Sequence, residues 1–492
     1  MVDVMFKLCK IIWNTRKVPN IWTKSILILL PKKGDLKECS NYRTISLICH
    51  ASKILLKLLN NRLNPSINKH ISEEQAGFRA GRSTIEQIFC LRMLAEKTIE
   101  YDKKLYNCFI DFQKAFDSVP HECLWSVLKH YEVPPDVQQL IGELYKNAES
   151  TVLVNGEETE YFKTTKGCRQ GCILSPSLFL FYIEKIVNEA LEQFDGGIQI
   201  GQRKLTNLKF ADDIVLIDKI ISMLQNLTDK VNSKSSKYGM KINKKKTETM
   251  TFCRKEEHNN LKLKLDQVEL PNVARFKYLG SLFTFDNDCT AEINNRIALA
   301  SYTYSKLKTI WKNKKISMIT KIKILKICVF STLQYGVETW VLKKEDQKRL
   351  DAFEMKLYRW LLEIRWQDRI KNTDIRKKLG VEEAISFTIK KRQIQWFGHV
   401  ARMDGKRWAK QLLAKTPVGY ETRPKGHPRK RYYDDINEML LTRVPWTGKE
   451  SIIPISVAFT YAEKREGWMQ MRHSLFMPLR MLTDASPFNL ST

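Results

Sequence analysis

No stretch of this 492-residue chain holds the roughly 18 consecutive apolar residues of a membrane-spanning helix, so no membrane partner is expected. Its first residues, MVDVMFKLCKIIWNTRKVPNIW, interrupt their apolar pattern with charge and lack a small-residue cleavage site, which argues against a secretory signal. No repeat of 20–50 residues is visible. Cysteines number 11, an odd count, with none after Cys328. Cys168 and Cys172 stand close together, but no matching second pair follows, so zinc is not expected there. Cys90, Cys108, Cys253 and Cys328 sit in apolar or motif segments, as free thiols of a reducing compartment do. Acid is scarce: 54 Asp and Glu face 83 Lys and Arg, a net charge of +29. That excess suits a polyanionic partner, nucleic acid first. Hydrophobic residues at 43% support real cores, and the length allows about two to four domains.

SILILLPKKGD reads as a short strand. NYRTISLICHASKILLKLLNNRLNPSI is predicted to form a helix ending near Asn64-Pro65, because proline disfavours continuation. A second helix should begin at Ser83. LYNCFIDF reads as a strand closing on Asp111, with a helix after Pro120. LSPSLFLFYIEKIVNEALEQF carries Phe179, Ile183, Ile186, Val187, Ala190 and Phe194 at helical spacing, with Ser175 as cap and Pro176 in the first turn. LKFADDIVLI reads as strand, tight turn, strand; the following helix should stop at Gly239, and MKINKKKTETMTF returns as a strand. Residues 290 to 345 are helical and lysine-rich, and a linker is expected at TPVGYETRPKGHPRKR.

Two acids, Asp212 and Asp213, interrupt an apolar strand pattern, and Asp111 ends another. An adjacent Asp pair alone is usually a solvated turn. If the strands are sheet neighbours, however, three carboxylates converge and raise one another's pKa unless a cation lies between them. Mg²⁺ fits, since it takes oxygen ligands from one or two carboxylates plus substrate phosphates. Two such ions can activate an attacking hydroxyl and stabilise a leaving oxygen.

Together these segments resemble the reverse transcriptases of non-LTR (LINE-type) retrotransposons. LPKKGDLKECSNYRTISL and EEQAGFRAGRSTIEQI are similar to the two fingers blocks, and FIDFQKAFDSVPHECLW to the palm segment with the first metal aspartate. GCRQGCILSPSLFLFYIE resembles the nucleotide-pocket block, FADD the catalytic turn, YGMKINKKKTETM the next palm strand and FKYLGSLFT the primer-grip hairpin. The likeness spans about residues 20–285 and continues more weakly into IQWFGHVARMDGKRW and GHPRKRYYDD. Thr44 stands where the family usually has proline, phenylalanine replaces tyrosine before Ala211, and Cys172-Ile173 replaces an Asp-Pro pair.

The resemblance implies an α+β right-hand polymerase. Its parts would be fingers with an N-terminal extension over 1–104, a palm with an antiparallel sheet over 105–285, a helical thumb over 286–345, and a mostly helical basic C-terminal region over 346–492. Asp111, Asp212 and Asp213 match the metal triad, Phe116 the aromatic steric gate, and Gln170 and Gly171 the nucleotide pocket. Arg43 is expected to meet the triphosphate, and Lys246 to neutralise departing pyrophosphate. The implied activity is RNA-directed DNA polymerisation: a primer or target DNA 3′-hydroxyl is extended from deoxynucleoside triphosphates on template RNA, with two Mg²⁺ (or Mn²⁺) ions. The chain begins near the fingers, so an upstream endonuclease is expected to be absent and the nick to come from a separate one. Nuclear action, with a cytoplasmic RNA–protein complex, is implied by resemblance alone. The alternative is a catalytically inactive, truncated remnant that binds nucleic acid.

KRQIQWFGHVARMDGKRWAK holds six Lys and Arg against one Asp, interleaved with Trp396, Phe397 and Trp408. Basic side chains can track phosphates while aromatic faces stack on bases. Arg392, Trp396, Arg402, Arg407, Trp408, Arg429, Lys430 and Arg431 are therefore candidate nucleic-acid contacts. Asp434 and Asp435 read as part of an exposed helix.

Overall fold

The computed structural model describes residues 2–32, 34–420, 429–441, 459–460, 462–466 and 468–469. At its centre is a four-stranded antiparallel sheet ordered Glu248–Phe252, Leu105–Ile110, Asp213–Asp218, Asn207–Phe210. Both faces are covered, which explains why its strands read as apolar runs rather than alternating ones. Cys108, Ile110, Ile214 and Leu216 face one core with the helix Ser175–Leu191 and the helix Ile221–Lys237. Phe109, Val215, Ile217 and Met250 face another, shared with the helix Thr84–Glu100.

A second, mixed sheet pairs Lys24–Pro31 antiparallel with Tyr42–Leu47 and parallel with Glu149–Val154. A contiguous division at 104/105 therefore cuts through one sheet. The expected boundary at 345/346 is crossed as well. One core runs from Cys289 to Ile389, while Ile394, Phe397, Trp408, Tyr432 and Trp468 pack against the back of the central sheet. The C-terminal region is thus not a separate body. Its described residues partly extend the core that begins at Cys289 and partly pack on the central sheet.

Most elements match expectation. Ser83 caps the helix Thr84–Glu100 by accepting the Glu86 N–H, and Gly239, at φ +72, follows the helix that ends at Lys237. Two differ. The helix predicted to end at Pro65 runs on to His70, because Leu63, Ile67 and Ile71 all bury on one side of it and outweigh one missing hydrogen bond. Ser175 does not cap its helix. Its hydroxyl donates to the Arg169 carbonyl at 2.6 Å, tying the helix start to the preceding loop. The strand expected over 240–252 forms only over Glu248–Phe252. All eleven cysteines are free thiols. No helix among the described residues is long and apolar enough to cross a membrane. Residues 421–428 of the expected linker lie outside the described residues.

Candidate active site

Strand register brings the acids together. Ile214 pairs with Ile110, so Asp213 and Asp111 are the next residues along at the same end of the sheet. Asp213 also pairs with Phe210, leaving Ala211 and Asp212 as a two-residue turn in which Ala211 takes φ +58. Asp111 is pinned from the other side. Its N–H donates to the Thr247 hydroxyl at 3.2 Å, and its carbonyl accepts the Asn243 N–H at 2.7 Å.

The electrostatics record the crowding. Asp212 is pushed above the ordinary aspartate range, first by burial and then by the Asp111 charge, with Arg43 pulling the other way. Asp213 is pushed up to about 6 by loss of surrounding water and by both neighbouring acids. Its surface is nonetheless open to water from the cleft, so its carboxylate is crowded by protein without being sealed. Among the described residues no group of three acid, histidine or cysteine side chains closes into a ready-made metal cage. An all-oxygen set of mutually repelling carboxylates still fits Mg²⁺, which takes its remaining ligands from phosphate and water.

The pocket beside the acids is built largely from backbone. The Ser46 N–H donates to the Gln170 carbonyl at 2.7 Å, and a Cβ at Gly171 would lie 3.1 Å from the Ser46 carbonyl, so the RQG loop lies against the strand bearing Arg43. Gly171 takes φ +96, where only glycine is unstrained. Phe116 stacks on Phe179 at 4.2 Å and meets Phe78 edge-on at 6.1 Å, so its ring is held in place. Arg43 and Lys246 are exposed. Lys244, two residues before Lys246, pairs with Asp266 at 3.0 Å.

Several site-shaping residues carry no distinctive sequence signal. Asp117 accepts the Gln170 amide at 2.9 Å. Arg169 donates to the carbonyls of Trp22, Thr23 and Leu144, fixing the loop from beneath. Lys209 and Glu184 form a fully buried ion pair at 2.9 Å. Gln75 hydrogen-bonds both backbone groups of Ala211 in the turn before Asp212.

The C-terminal candidates are placed differently from expectation. Trp408 is 2% exposed and donates its indole N–H to Glu74 at 2.8 Å, so it has no face to offer a base. Arg407 pairs with Glu86, and Arg392 with Glu338. Trp396 is partly buried against Phe89, and Arg402 donates to the Ala462 carbonyl at 2.9 Å. Lys430 binds Asp435 and Glu438, Arg431 binds Asp434 and Glu100, and the exposed Arg429 donates to the Asp286 carbonyl. Asp435 is buried and accepts the Leu342 N–H, which corrects the exposed-helix reading. The basic–aromatic pattern here works as internal joinery.

That joinery has a pH signature. Glu96 on the helix Thr84–Glu100 accepts the Tyr432 N–H at 2.7 Å, and the protein packed around its carboxyl raises its pKa to about 7. The native state therefore holds a proton that the unfolded chain has released, and Glu96 makes stability fall as pH rises from about 4.5 to about 7. Glu96→Gln keeps an acceptor for Tyr432 without the charge. Thermal melts of the two proteins should coincide near pH 5, with the variant the more stable at pH 8.

Acids placed this way at one end of an antiparallel sheet, beside an aromatic-floored pocket, define the right-hand class of nucleic-acid polymerases. Within that class the chain belongs to the family described as reverse transcriptase (RNA-dependent DNA polymerase), whose profile matches residues 30–283. The curated relatives it is similar to come from retrotransposable elements and transposons. One relative is the retrovirus-related Pol polyprotein from the type-1 retrotransposable element R2 of Popillia japonica. It is 28% identical over 275 residues, covering 54% of this chain and 38% of that protein. Another is the RNA-directed DNA polymerase from the mobile element jockey of Drosophila funebris, 24% identical over 365 residues, 71% of this chain and 38% of that protein. The chain thus spans less than two fifths of the length of either relative. Among solved structures, the apo telomerase of Candida tropicalis aligns with 84% of this chain and 73% of its own at 13% identity and a TM-score of 0.40.

Proposed function

We propose that this chain extends a DNA 3′-hydroxyl on an RNA template, target-primed where DNA has been nicked, at a site holding two Mg²⁺ ions. The observation that supports this best is the strand register that sets Asp111 beside Asp213, with Asp212 in the adjoining turn, at one sheet end. Asp111 and Asp212 would be the main ligands, with Asp213 beside them. Divalent ions, when bound, neutralise this acid cluster and polarise phosphoryl oxygens.

The chain's own residues do the rest. Arg43, near enough to Asp212 to lower its pKa, presents a guanidinium fork suited to a triphosphate. Gly171 lets a nucleotide approach bare backbone at the RQG loop. Gln170, oriented by Asp117, lines that loop. Lys246 follows the Asn243 turn that pins Asp111, and from there it can neutralise departing pyrophosphate. Template RNA and primer would lie along the cleft against the lysine-rich helices of 290–345. Work in the nucleus follows from DNA as the primer.

Phe116 provides the test. Clamped between Phe179 and Phe78, its ring cannot move away from a ribose 2′-hydroxyl. Discrimination by a clash is lost when the clashing group is removed. Phe116→Val should therefore raise ribonucleotide use relative to deoxynucleotide use by roughly 10- to 100-fold in RNA-templated primer extension, about 1.4–2.8 kcal/mol. Unchanged selectivity would reject the assignment.

A further inference from the structure

The segment Glu73–Gln75 and Gly77 abuts the catalytic turn from behind. Gln75 is 0% exposed. Its Oε1 accepts the Ala211 N–H at 2.9 Å and the Gly77 N–H at 2.8 Å, while its amide donates to the Ala211 carbonyl at 3.3 Å. One side chain thus satisfies both backbone groups of the residue that precedes Asp212. Ala211 needs this, because its left-handed backbone costs a non-glycine residue roughly 1–3 kcal/mol unless its surroundings enforce it. The approach is close: a Cβ on Gly77 would lie 2.3 Å from the Ala211 nitrogen.

The segment is itself held from the far end of the chain. The Glu74 carbonyl accepts the Lys209 N–H at 2.9 Å, and its carboxylate accepts the Trp408 indole N–H at 2.8 Å. Arg203 covers the Trp408 ring at 4.2 Å and lies 3.5 Å from the same carboxylate. Arg407 donates to Glu86 at 2.9 Å and to the Gly81 carbonyl at 2.9 Å, closing the other end of the same loop. The contacts of Trp408 with Glu74 and of Arg407 with Glu86 and Gly81 join residues more than 300 positions apart in sequence.

We propose that Gln75 is a positioning residue for the Asp212 turn, and that the C-terminal helical region, through Trp408 and Arg407, braces the segment that carries it. This rests on the polymerase reading for its catalytic consequence and on the hydrogen bonds alone for its structural one. Gln75 touches no substrate. It fixes where the Asp212 carboxylate stands relative to Asp111. The basic C-terminal motif then serves the active site from behind rather than gripping nucleic acid itself.

The experiment is hydrogen exchange on the full chain, resolved to the Ala211 amide, alongside steady-state primer extension. Gln75→Met keeps the side-chain length and removes both hydrogen-bonding functions. It should speed Ala211 exchange at least tenfold while leaving peptides from Lys24–Pro31 and Ile221–Lys237 as in the wild type. In extension assays it should lower kcat by 10- to 100-fold, leave the KM for nucleotide within threefold, and leave template–primer affinity unchanged. Trp408→Phe keeps a ring in the core but drops the N–H to Glu74, and should shift Ala211 exchange in the same direction by a smaller factor. Wild-type protection of Ala211 in Gln75→Met overturns the proposal, as does equal loss of protection throughout the chain. Wild-type exchange in Trp408→Phe overturns the brace. If the wild-type chain incorporates no nucleotide, the polymerase reading fails while the exchange data still decide the positioning role.

Discussion

Asp212→Asn is expected to reduce primer extension by roughly a thousandfold or more, at least 4 kcal/mol of lost transition-state stabilisation, with the fold intact. The substitution keeps shape and removes a charge from a turn where that charge is already disfavoured. Asp212 is raised by burial and by Asp111, so the metal-free native state pays to ionise it. Neutralising it should leave the apparent melting temperature in chelator unchanged or slightly higher at pH 7.5. It should also let Asp213 ionise more readily, because the Asp212 charge helps to raise Asp213 to about 6. Loss of activity together with unchanged or improved thermal stability separates a functional acid from a structural one. A large drop in stability would assign Asp212 to the scaffold instead.

The second large effect concerns folding. Lys209 and Glu184 meet at 2.9 Å with almost no surface on either side chain. Glu184 also accepts the Ser72 N–H at 3.1 Å, so the pair joins the strand before the catalytic turn, the pocket helix and the fingers-side segment. Removing one partner leaves a buried charge uncompensated, which typically costs about 3–5 kcal/mol. Lys209→Met should therefore lower the urea midpoint sharply and diminish soluble yield. The double variant Lys209→Met with Glu184→Gln should recover much of the loss, since no lone charge remains and the amide still accepts from Ser72. Equal destabilisation in single and double variants would show that packing, not charge, governs the site.

The sequence disclosed this fold unevenly, for physical reasons. Strand and helix periodicity located the acids, because a carboxylate in an apolar run is conspicuous and a two-residue turn sets the pairing of Asp213 with Phe210. Long-range partnerships left no such mark. Nothing local to KRW indicates that Trp408 will spend its N–H on Glu74, since basic and aromatic residues look alike whether they meet phosphates or buried acids. Pro65 misled for a related reason: local backbone preference is worth less than the burial of Leu63 and Ile67. Gln75 reads as an ordinary polar residue until Ala211 is folded onto it.

Incorporation of labelled deoxynucleotide by the purified chain on an annealed RNA template and DNA primer, with and without Mg²⁺, decides whether the acid cluster is a working catalytic centre. Template-directed, Mg²⁺-dependent lengthening of the primer is the outcome these carboxylates lead us to expect. Tight template–primer binding by folded protein with no incorporation in either Mg²⁺ or Mn²⁺ would instead mark the chain as a binding remnant.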